Sequence, residues 1–234
     1  MRGLDFAFMG ECFGPILQGI PYTIKIAVIS MIFGTIIGLL TALARMYKVR
    51  VLSQISSAYI ALIRGTPLMI QILVFYYGIP RLLQYINYQF GTDININNVP
   101  AIYYMYFCYS IYIGSYLSEM IRGCIQAVDK GQMEACLSVG MTTRQGLLRV
   151  VLPQALVSAI PNFGNSFIGQ LKDASLAFAV SIPEILGQAK ILAARSSKFL
   201  EAYLVAAVYY FVICLICQQL LKLIEKRSKK HERR

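Results

Sequence analysis

Five long apolar runs constrain the fold of this chain more than any other feature of its sequence. They cover residues 23–44, 57–78, 101–121, 155–189 and 200–224. A hydrocarbon core about 30 Å thick requires roughly 20 apolar residues for one helical crossing, so each run is long enough to span. The sequence therefore predicts an all-α, polytopic integral membrane protein with about five transmembrane helices. A single transmembrane domain is expected over residues 1–234.

Composition and charge support a membrane location and exclude a nucleic-acid partner. The chain is 57% hydrophobic and 14% charged, whereas about a quarter of the residues in a soluble domain are charged. Its net charge of +11 would suggest nucleic-acid binding only if the basic residues formed a patch on a soluble face. They concentrate instead in polar intervals and in a basic tail over residues 222–234.

Five crossings place the two termini on opposite sides of the membrane. Lys and Arg residues are in excess on the side of the C-terminus, which assigns that side to the cytoplasm and the N-terminus to the outside. The residues on that side are Arg45, Lys48, Arg50, Arg122, Lys130, Arg144, Arg149, Lys222, Lys226, Arg227, Lys229, Lys230, Arg233 and Arg234. Residues 1–20 are too interrupted to span and predict an N-terminal interfacial helix. Two outer loops are expected, over 80–100 and around Lys190, Arg195 and Lys198.

The polar interval over residues 119–153 predicts a helix, a tight turn and a second helix. Asp129 can begin a short helix, and Gly140 is well placed to end it in the left-handed conformation. Thr142 and Gln145 have the spacing of a capping box for the second helix. Such a compact knob can expose Glu134 to a basic partner, with the apolar side chains of Met133 and Leu137 available for a groove.

The order of residues within this interval resembles the EAA loop of binding-protein-dependent ABC importers. Glu134-Ala135-Cys136 is followed by Gly140 after three residues, and Val150-Val151-Leu152-Pro153 begins nine residues later. The resemblance implies the type I ABC importer permease fold, with a cytoplasmic coupling helix that contacts an ATPase. The coupling residues that it implies are Met133, Glu134, Ala135, Leu137, Gly140, Leu152 and Pro153. The plain alternative is an ordinary solvated loop.

Two further segments resemble the polar amino acid permeases of that class, which include histidine, glutamine, arginine and cystine permeases. They are Arg64-Gly-Thr-Pro-Leu and Gln170-Leu-Lys-Asp-Ala-Ser-Leu. An Asp within apolar sequence is costly and is a functional hypothesis by default, although Lys172 and Asp173 can also form a structural pair. Likewise Arg64 can face the pathway or snorkel to the interface while Pro67 kinks its helix. The substrate-pathway residues proposed are Arg64, Thr66, Asn165, Lys172, Asp173 and Ser175.

The resemblance implies a permease subunit in a prokaryotic cytoplasmic membrane that moves an amino acid by alternating access. No GxxxxGK[ST] motif is present, so the chain is expected to be non-catalytic and to bind no cofactor, with ATP and Mg on partner ATPase subunits. The cysteines show no zinc-type pattern, and no metal is expected. The other expected partners are an extracytoplasmic amino acid-binding protein, a second permease subunit that is identical or paralogous, and the lipid bilayer.

Two other functions remain open from the sequence. One is an ion-gradient-driven secondary transporter with Asp173 as the coupling carboxylate, because broken helices near charges also occur in that class. The other is a membrane anchor that docks a soluble enzyme without transport.

Overall fold

Every regular element of the described chain is helical. The computed structural model describes residues 3–93 and 99–232. Its helices are α1 (Phe6–Leu17), α2 (Ile20–Met46), α3 (Arg50–Arg64), α4 (Leu68–Phe90), α5 (Ala101–Gln126), α6 (Lys130–Ser138), α7 (Thr143–Gly146), α8 (Leu152–Asp173), α9 (Ile185–Ser196) and α10 (Phe199–Glu232). A π-helical turn, Leu147–Val151, joins α7 to α8, and a 3₁₀ segment, Ala174–Val180, follows α8. The predicted all-α class is confirmed.

Several of these helices can cross a membrane. Three segments qualify by length and composition: α2, the continuous run Thr143–Val180, and Phe199–Ser228. The bent pair α3–α4 can form a fourth span. Helix α5 has 26 residues, and an α-helix of that length extends about 39 Å. It contains many tyrosines and packs against α2, α3, α4 and α8. The polytopic membrane architecture predicted from the sequence is therefore confirmed.

Helices α2 and α5 pack closely along their length. A Cβ atom on Gly34 would lie 3.2 Å from the carbonyl oxygen of Ser110, and one on Gly38 would lie 2.9 Å from Cβ of Leu117. Small residues permit this close backbone approach, which is how helices associate in lipid without a hydrophobic driving force. Gly34 and Gly38 therefore form a true packing face.

The second predicted crossing, residues 57–78, is not one kinked helix. Helix α3 ends at Arg64, α4 begins at Leu68, and their axes differ by 109°. Pro67 has φ −63° and ψ 137°. The residue before a proline is disfavoured from helical conformation, and the proline itself has no N–H. Thr66-Pro67 therefore separates two helices instead of bending one.

The predicted outer loop over residues 80–100 is wrong for its first half. Helix α4 passes through Pro80 and ends at Phe90, where Gly91 adopts φ 63°. A proline inside a helix removes one hydrogen bond, and the ten residues after Pro80 contain no other breaker until Gly91. Residues 94–98 of this interval lie outside the described part of the chain.

The other predicted outer loop is also helical. Lys190 and Arg195 belong to α9, which ends at Ser196 and is followed by Ser197 with φ 57°. Lys198 lies in the short connection to α10. The Glu184 side chain accepts hydrogen bonds from the backbone N–H groups of Leu186 and Gly187, at 2.9 and 2.7 Å. Satisfying these otherwise free donors stabilises a helix start. The sequence prediction missed this N-cap.

A helix is present in the predicted N-terminal segment as α1, and it packs against α9 and α10. Asp5 caps α1 by accepting from the Phe8 N–H at 3.0 Å, and Lys198 Nζ lies 2.5 Å from Asp5 Oδ2. The hydrogen bond from Lys198 holds the pKa of Asp5 below its ordinary value. Residues 1 and 2 of the predicted segment, and residues 233 and 234 of the predicted basic tail, lie outside the described chain.

Candidate functional site

The predicted helix, turn and helix form a compact knob between α5 and α8. Asp129 caps α6 by accepting from the Gly131 N–H at 2.7 Å. After α6, Gly140 has φ 82°, and the Met141 N–H donates to the Cys136 carbonyl at 3.0 Å. A left-handed residue after a helix commonly closes it in this way. The predicted Gly140 turn is confirmed.

The capping box of the second helix is also confirmed. The Gln145 N–H donates to Thr142 Oγ1 at 3.2 Å, and the Thr142 N–H donates to Gln145 Oε1 at 2.8 Å. These reciprocal bonds satisfy two donors at the start of α7. The knob itself, residues 129–146, is shorter than the predicted interval, because residues 119–126 belong to α5.

Charged side chains at the end of α5 form ion pairs within the helix bundle. This end of the sequence interval can therefore be helix instead of a solvated loop. Glu119 forms ion pairs with Arg45 of α2 and Arg122 of α5. The Glu119 side chain is 22% exposed. Two cations on one carboxylate offset its partial burial, so α5 continues past it to Gln126.

The knob divides its predicted coupling residues between an inner and an outer face. Met133 is half-buried, and a Cβ on Gly146 would lie 2.9 Å from its sulfur. Met133 therefore packs against α7. Glu134, Ala135 and Leu137 are exposed, and Leu137 is 49% exposed.

Val139 is a further exposed apolar residue of the knob, and the sequence prediction missed it. It is 77% exposed and lies directly before the Gly140 turn. Glu134 forms no ion pair with any side chain that the structure describes. The exposed side chains of the knob thus include one carboxylate with no ion-pair partner in the described chain and two apolar side chains, Leu137 and Val139. This combination suits contact with a basic, grooved partner.

Leu152 and Pro153 lie where the knob joins α8. The Leu152 N–H donates to the Leu147 carbonyl across the π turn, while Pro153 is exposed in the first turn of α8. Pro153 has no N–H to donate to Arg149, and the widened turn directly before it accommodates its ring. Gln154 also donates to Gln132 of α6 at 3.2 Å, which ties α8 to the knob.

Arg64 and Asp173 lie on different helices near a cluster of α5 tyrosines. Arg64 is exposed at the end of α3, with its guanidinium carbon 5.1 Å from the ring centroid of Tyr116. The rings of Tyr116 and Tyr112 are 5.0 Å apart. Asp173 ends α8 and is half-buried, and its backbone carbonyl accepts from the Tyr109 hydroxyl at 2.9 Å. Tyr109 is fully buried and therefore packs in the core.

Lys172 does not pair with Asp173. The Lys172 side chain is exposed, and the ion pairs of the described chain do not include these two residues. Successive residues of a helix point in different directions, about 100° apart. The structure thus shows no direct ion pair between these two neighbouring side chains.

A polar face runs along α8. Ser158, Asn162, Asn165 and Lys172 are exposed and recur at helical spacing, with Gly169 between the last two. The face is about 21 Å long at 1.5 Å per residue. Exposed amides and hydroxyls are costly in hydrocarbon, so this face requires water or another protein surface. Of these residues, the sequence prediction named only Asn165 and Lys172. The 3–4-residue spacing from Ser158 through Asn162 to Asn165 could have indicated the rest of the polar face.

Thr66 and Ser175, the remaining predicted pathway residues, lie in the segments that follow α3 and α8. The Thr66 hydroxyl donates to the Leu62 carbonyl at 2.9 Å and accepts from Gln71 Nε2 at 2.9 Å. Ser175 is half-buried in the 3₁₀ segment. Gln170 of the same motif is fully buried, and its Nε2 donates to Ser30 Oγ of α2 at 3.0 Å. Thr66 and Gln170 thus tie helices together.

Comparison with known proteins gives consistent matches over nearly the whole chain. Residues 34–230 match the family described as binding-protein-dependent transport system inner membrane component. The probable amino-acid permease protein YxeN of Bacillus subtilis (strain 168) is 38% identical over 230 residues, 98% of each chain. The L-cystine transport system permease protein TcyL of the same organism is 34% identical over 233 residues, 100% of this chain and 95% of that protein.

A solved structure shows the same fold. The structure titled "Crystal structure of an amino acid ABC transporter with histidines" superposes with a TM-score of 0.83 at 33% identity. The match covers 97% of this chain and 100% of that one. The overall helical fold is therefore that of a known ABC importer permease.

Proposed function

The chain belongs to the family of inner membrane components of binding-protein-dependent transport systems, and we propose that it is the permease subunit of an ATP-driven amino acid importer. The exposed knob over residues 129–146 is the observation that carries the proposal. It presents Glu134, Leu137 and Val139 outward while Cys136 and Gly146 pack inside. The chain contains no GxxxxGK[ST] motif, so in an ATP-driven cycle it would receive work from another subunit through such a surface.

The substrate proposed is an amino acid. The relatives include a probable amino-acid permease and an L-cystine permease, and the chain offers both charges that a zwitterion requires. Arg64 can bind a carboxylate through a forked, charge-assisted pair, and Asp173 can bind an ammonium group. The polar face of α8, with Asn165, can supply neutral hydrogen bonds. Ser175 and Lys172 complete the set of pathway residues.

The partners proposed are ABC ATPase subunits, a second permease subunit and an extracytoplasmic amino acid-binding protein. The knob is the proposed ATPase contact, through Glu134, Ala135 and Leu137, with Met133 and Gly140 shaping it. Leu152 and Pro153 connect it to α8. ATP and Mg would be held by the ATPase, and this chain would carry out no bond chemistry.

The orientation proposed places the knob and the C-terminal end of α10 in the cytoplasm and the N-terminus outside. Arg45 and Arg122 lie at the knob ends of α2 and α5, in agreement with the positive-inside rule. The Asp5–Lys198 ion pair supports an opposite position for the N-terminus, because it joins α1 to the beginning of α10. Helix α10 has 34 residues, enough to span from there.

Reconstituted uptake tests the proposal. The chain, its cognate ATPase and its binding protein are placed in proteoliposomes, and labelled amino acid uptake is measured with and without ATP. Uptake that requires both ATP and the binding protein supports the importer. Uptake sustained by an ion gradient without ATP would support the secondary transporter and overturn it. An ATPase variant unable to hydrolyse ATP is the matched control.

A further inference from the structure

A segment without α-helical geometry, residues 174–184, connects Asp173 at the end of α8 to the start of α9. It begins with the 3₁₀ turns of Ala174–Val180. The chain then reverses at Ser181, which has φ 61°. The 174–184 segment therefore lies between the residue proposed to bind the substrate ammonium group and a separate short helix.

A tyrosine hydroxyl holds each end of the 174–184 segment. At the α8 end, Tyr109 of α5 donates to the Asp173 backbone carbonyl at 2.9 Å. At the α9 end, Tyr210 of α10 donates to Glu184 Oε2 at 2.6 Å. The first acceptor is a peptide carbonyl, which does not titrate, whereas the second is a carboxyl group. Of these two contacts, only the one at the α9 end can change with pH.

Glu184 is fully buried, and its partners are neutral. Two backbone N–H groups of α9 donate to its carboxyl group at 2.9 and 2.7 Å, in addition to Tyr210. The titratable groups that face it are the hydroxyls of Tyr210 from α10 and Tyr109 from α5, while α2 contributes the Thr23 hydroxyl. The ion pairs of the described chain do not include Glu184. Hydrogen bonds alone therefore stabilise its charge.

The backbone around Glu184 is tightly packed. A Cβ atom on Gly19, between α1 and α2, would lie 2.5 Å from the Glu184 carbonyl carbon. A Cβ atom on Gly187 would lie 2.3 Å from the Ile182 carbonyl oxygen. Packed interfaces of this kind do not deform continuously. Water can therefore reach the carboxyl group only if the α9 end of the segment moves away from α2 and α10.

The charge state of Glu184 is linked to this packed position. A buried carboxylate without a cation is costly, because hydrogen bonds replace only part of its hydration. Glu184 lies beyond the span that ends at Val180, and burial raises the pKa of Glu184 from 4.5 to about 7. A proton therefore favours the packed position, whereas ionisation favours contact with water. The neutral carboxyl group can keep its contact by donating to the Tyr210 oxygen, since a hydroxyl both donates and accepts.

We propose that Glu184 is a proton-sensitive positioning residue for the 174–184 segment. Its neutral carboxyl group holds the α9 end of the segment against α2 and α10, and its ionisation favours a position in which this end meets water. The α8 end stays attached to Tyr109 in both positions. The segment can thus move about the end that carries Asp173. This link to transport rests on the proposed function, whereas the pH response of the segment does not.

Hydrogen–deuterium exchange of the full-length chain in lipid nanodiscs tests the proposal without ATP, substrate or partner subunits. The measured quantity is the protection of the peptide that contains Leu186 and Gly187, corrected for the intrinsic pH dependence of exchange. Protection should fall about tenfold from pH 6 to pH 8, because a pKa of about 7 in the packed position and 4.5 in water links ionisation to opening. Equal protection at both pH values in the wild type overturns the proposal.

Glu184→Gln removes the titration and keeps the size of the side chain. Its protection should therefore be the same at both pH values, and a wild-type pH response in this variant overturns the proposal. Glu11→Gln, at an exposed glutamate of α1, is the matched control and should retain the wild-type response. A response that is lost in Glu11→Gln also overturns the assignment to Glu184.

Tyr210→Phe gives a second measurement that leaves the carboxyl group in place. The hydroxyl donates to the ionised form and lowers the pKa of Glu184, so its removal should enlarge the fall in protection between the same two pH values. This variant decides the question if Glu184→Gln does not fold. A fall that is unchanged or smaller than in the wild type overturns the proposal.

Discussion

The side-chain amide of Gln71 on α4 donates to the Ile63 carbonyl on α3 at 2.7 Å, across the break between the two helices. The same nitrogen also lies 3.0 Å from the Thr66 carbonyl, and Gln71 is 5% exposed. Carbonyls at a helix end have no partner within the helix. Gln71 therefore satisfies the polar groups that the break exposes and fixes the position of Arg64 beside it.

Replacing Gln71 tests this positioning role. Gln71→Leu leaves the Ile63 and Thr66 carbonyls without their donor, and a buried unsatisfied group costs about 1–3 kcal/mol. We expect a lower melting temperature of the purified chain and reduced ATP-driven uptake. Gln84→Leu, at an exposed position of the same helix, is the control and should change neither. Equal melting temperatures for Gln71→Leu and the wild type would falsify the role.

Charge reversal at Glu134 tests the knob as the ATPase contact. Glu134→Lys should reduce ATP-driven uptake by about tenfold or more, because disrupting a hydrogen-bonded charge pair at an interface costs about 2–5 kcal/mol. Membrane insertion should remain normal. The measurement is the ratio of co-purified ATPase to permease. Glu11→Lys, at an exposed glutamate on α1, is the matched control. Wild-type stoichiometry and wild-type uptake in Glu134→Lys would mean that the knob is an ordinary solvated loop.

Asp173 tests the proposed ammonium contact. A hydrogen bond to a charged group contributes about 1.5–3 kcal/mol, so Asp173→Asn should lower the efficiency of uptake by about tenfold or more. Uptake kinetics in proteoliposomes measure this change. Asp93→Asn, at an exposed aspartate after α4, should leave the kinetics unchanged. If Asp173→Asn also transports at the wild-type rate, Asp173 does not bind the substrate.

The contact between α2 and α5 predicts a strong effect of a small substitution. A Cβ on Gly38 would lie 2.9 Å from Cβ of Leu117, and overpacking of this kind costs about 1–3 kcal/mol. Gly38→Ala should therefore lower the melting temperature. Gly78→Ala, where the new Cβ has nothing within 4 Å, should leave it equal or higher. A lower melting temperature for Gly78→Ala than for Gly38→Ala would contradict the close packing of α2 on α5.

Acid pH should loosen the N-terminal helix. Lys198 lowers the pKa of Asp5 from its ordinary value of 3.8, so folding favours the ionised carboxylate. The stabilisation is complete above pH 3.8 and disappears as the pH falls through the lower pKa of the folded state. Cleavage of α1 by an acid protease should increase over that interval. The protease should cut the Asp5→Asn variant equally fast across this pH interval. If cleavage of that variant depends on pH as it does in the wild type, the ion pair is not the cause.

The knob was predictable because its signals are local. Gly140 and the Thr142–Gln145 box act within a few residues, and each behaves as its sequence indicates. The α3–α4 break was not predictable in the same way. Thr66-Pro67 signals an interruption, but its 109° angle depends on Gln71 reaching back to Ile63, and a single sequence does not show which carbonyl a glutamine reaches.

The errors over residues 80–90 and 190–196 have a related cause. Proline in the first interval and clustered basic residues in the second are typical of loops, yet both intervals are helical. In α9 the decisive group is Glu184, which is fully buried and accepts from the Tyr210 hydroxyl of α10 at 2.6 Å. That partner is 26 residues away, beyond the reach of local patterns.

The close packing of α2 on α5 restricts how the subunit can change shape. With Gly34 against Ser110 and Gly38 against Leu117, sliding one helix along the other would drive side chains into backbone, since packed interfaces do not deform continuously. The pair must move as one rigid body. We expect the hinges of a transport cycle where the chain leaves α-helical geometry: at the Gln71-stabilised break, at the π turn before Pro153 and at the 3₁₀ segment after Asp173.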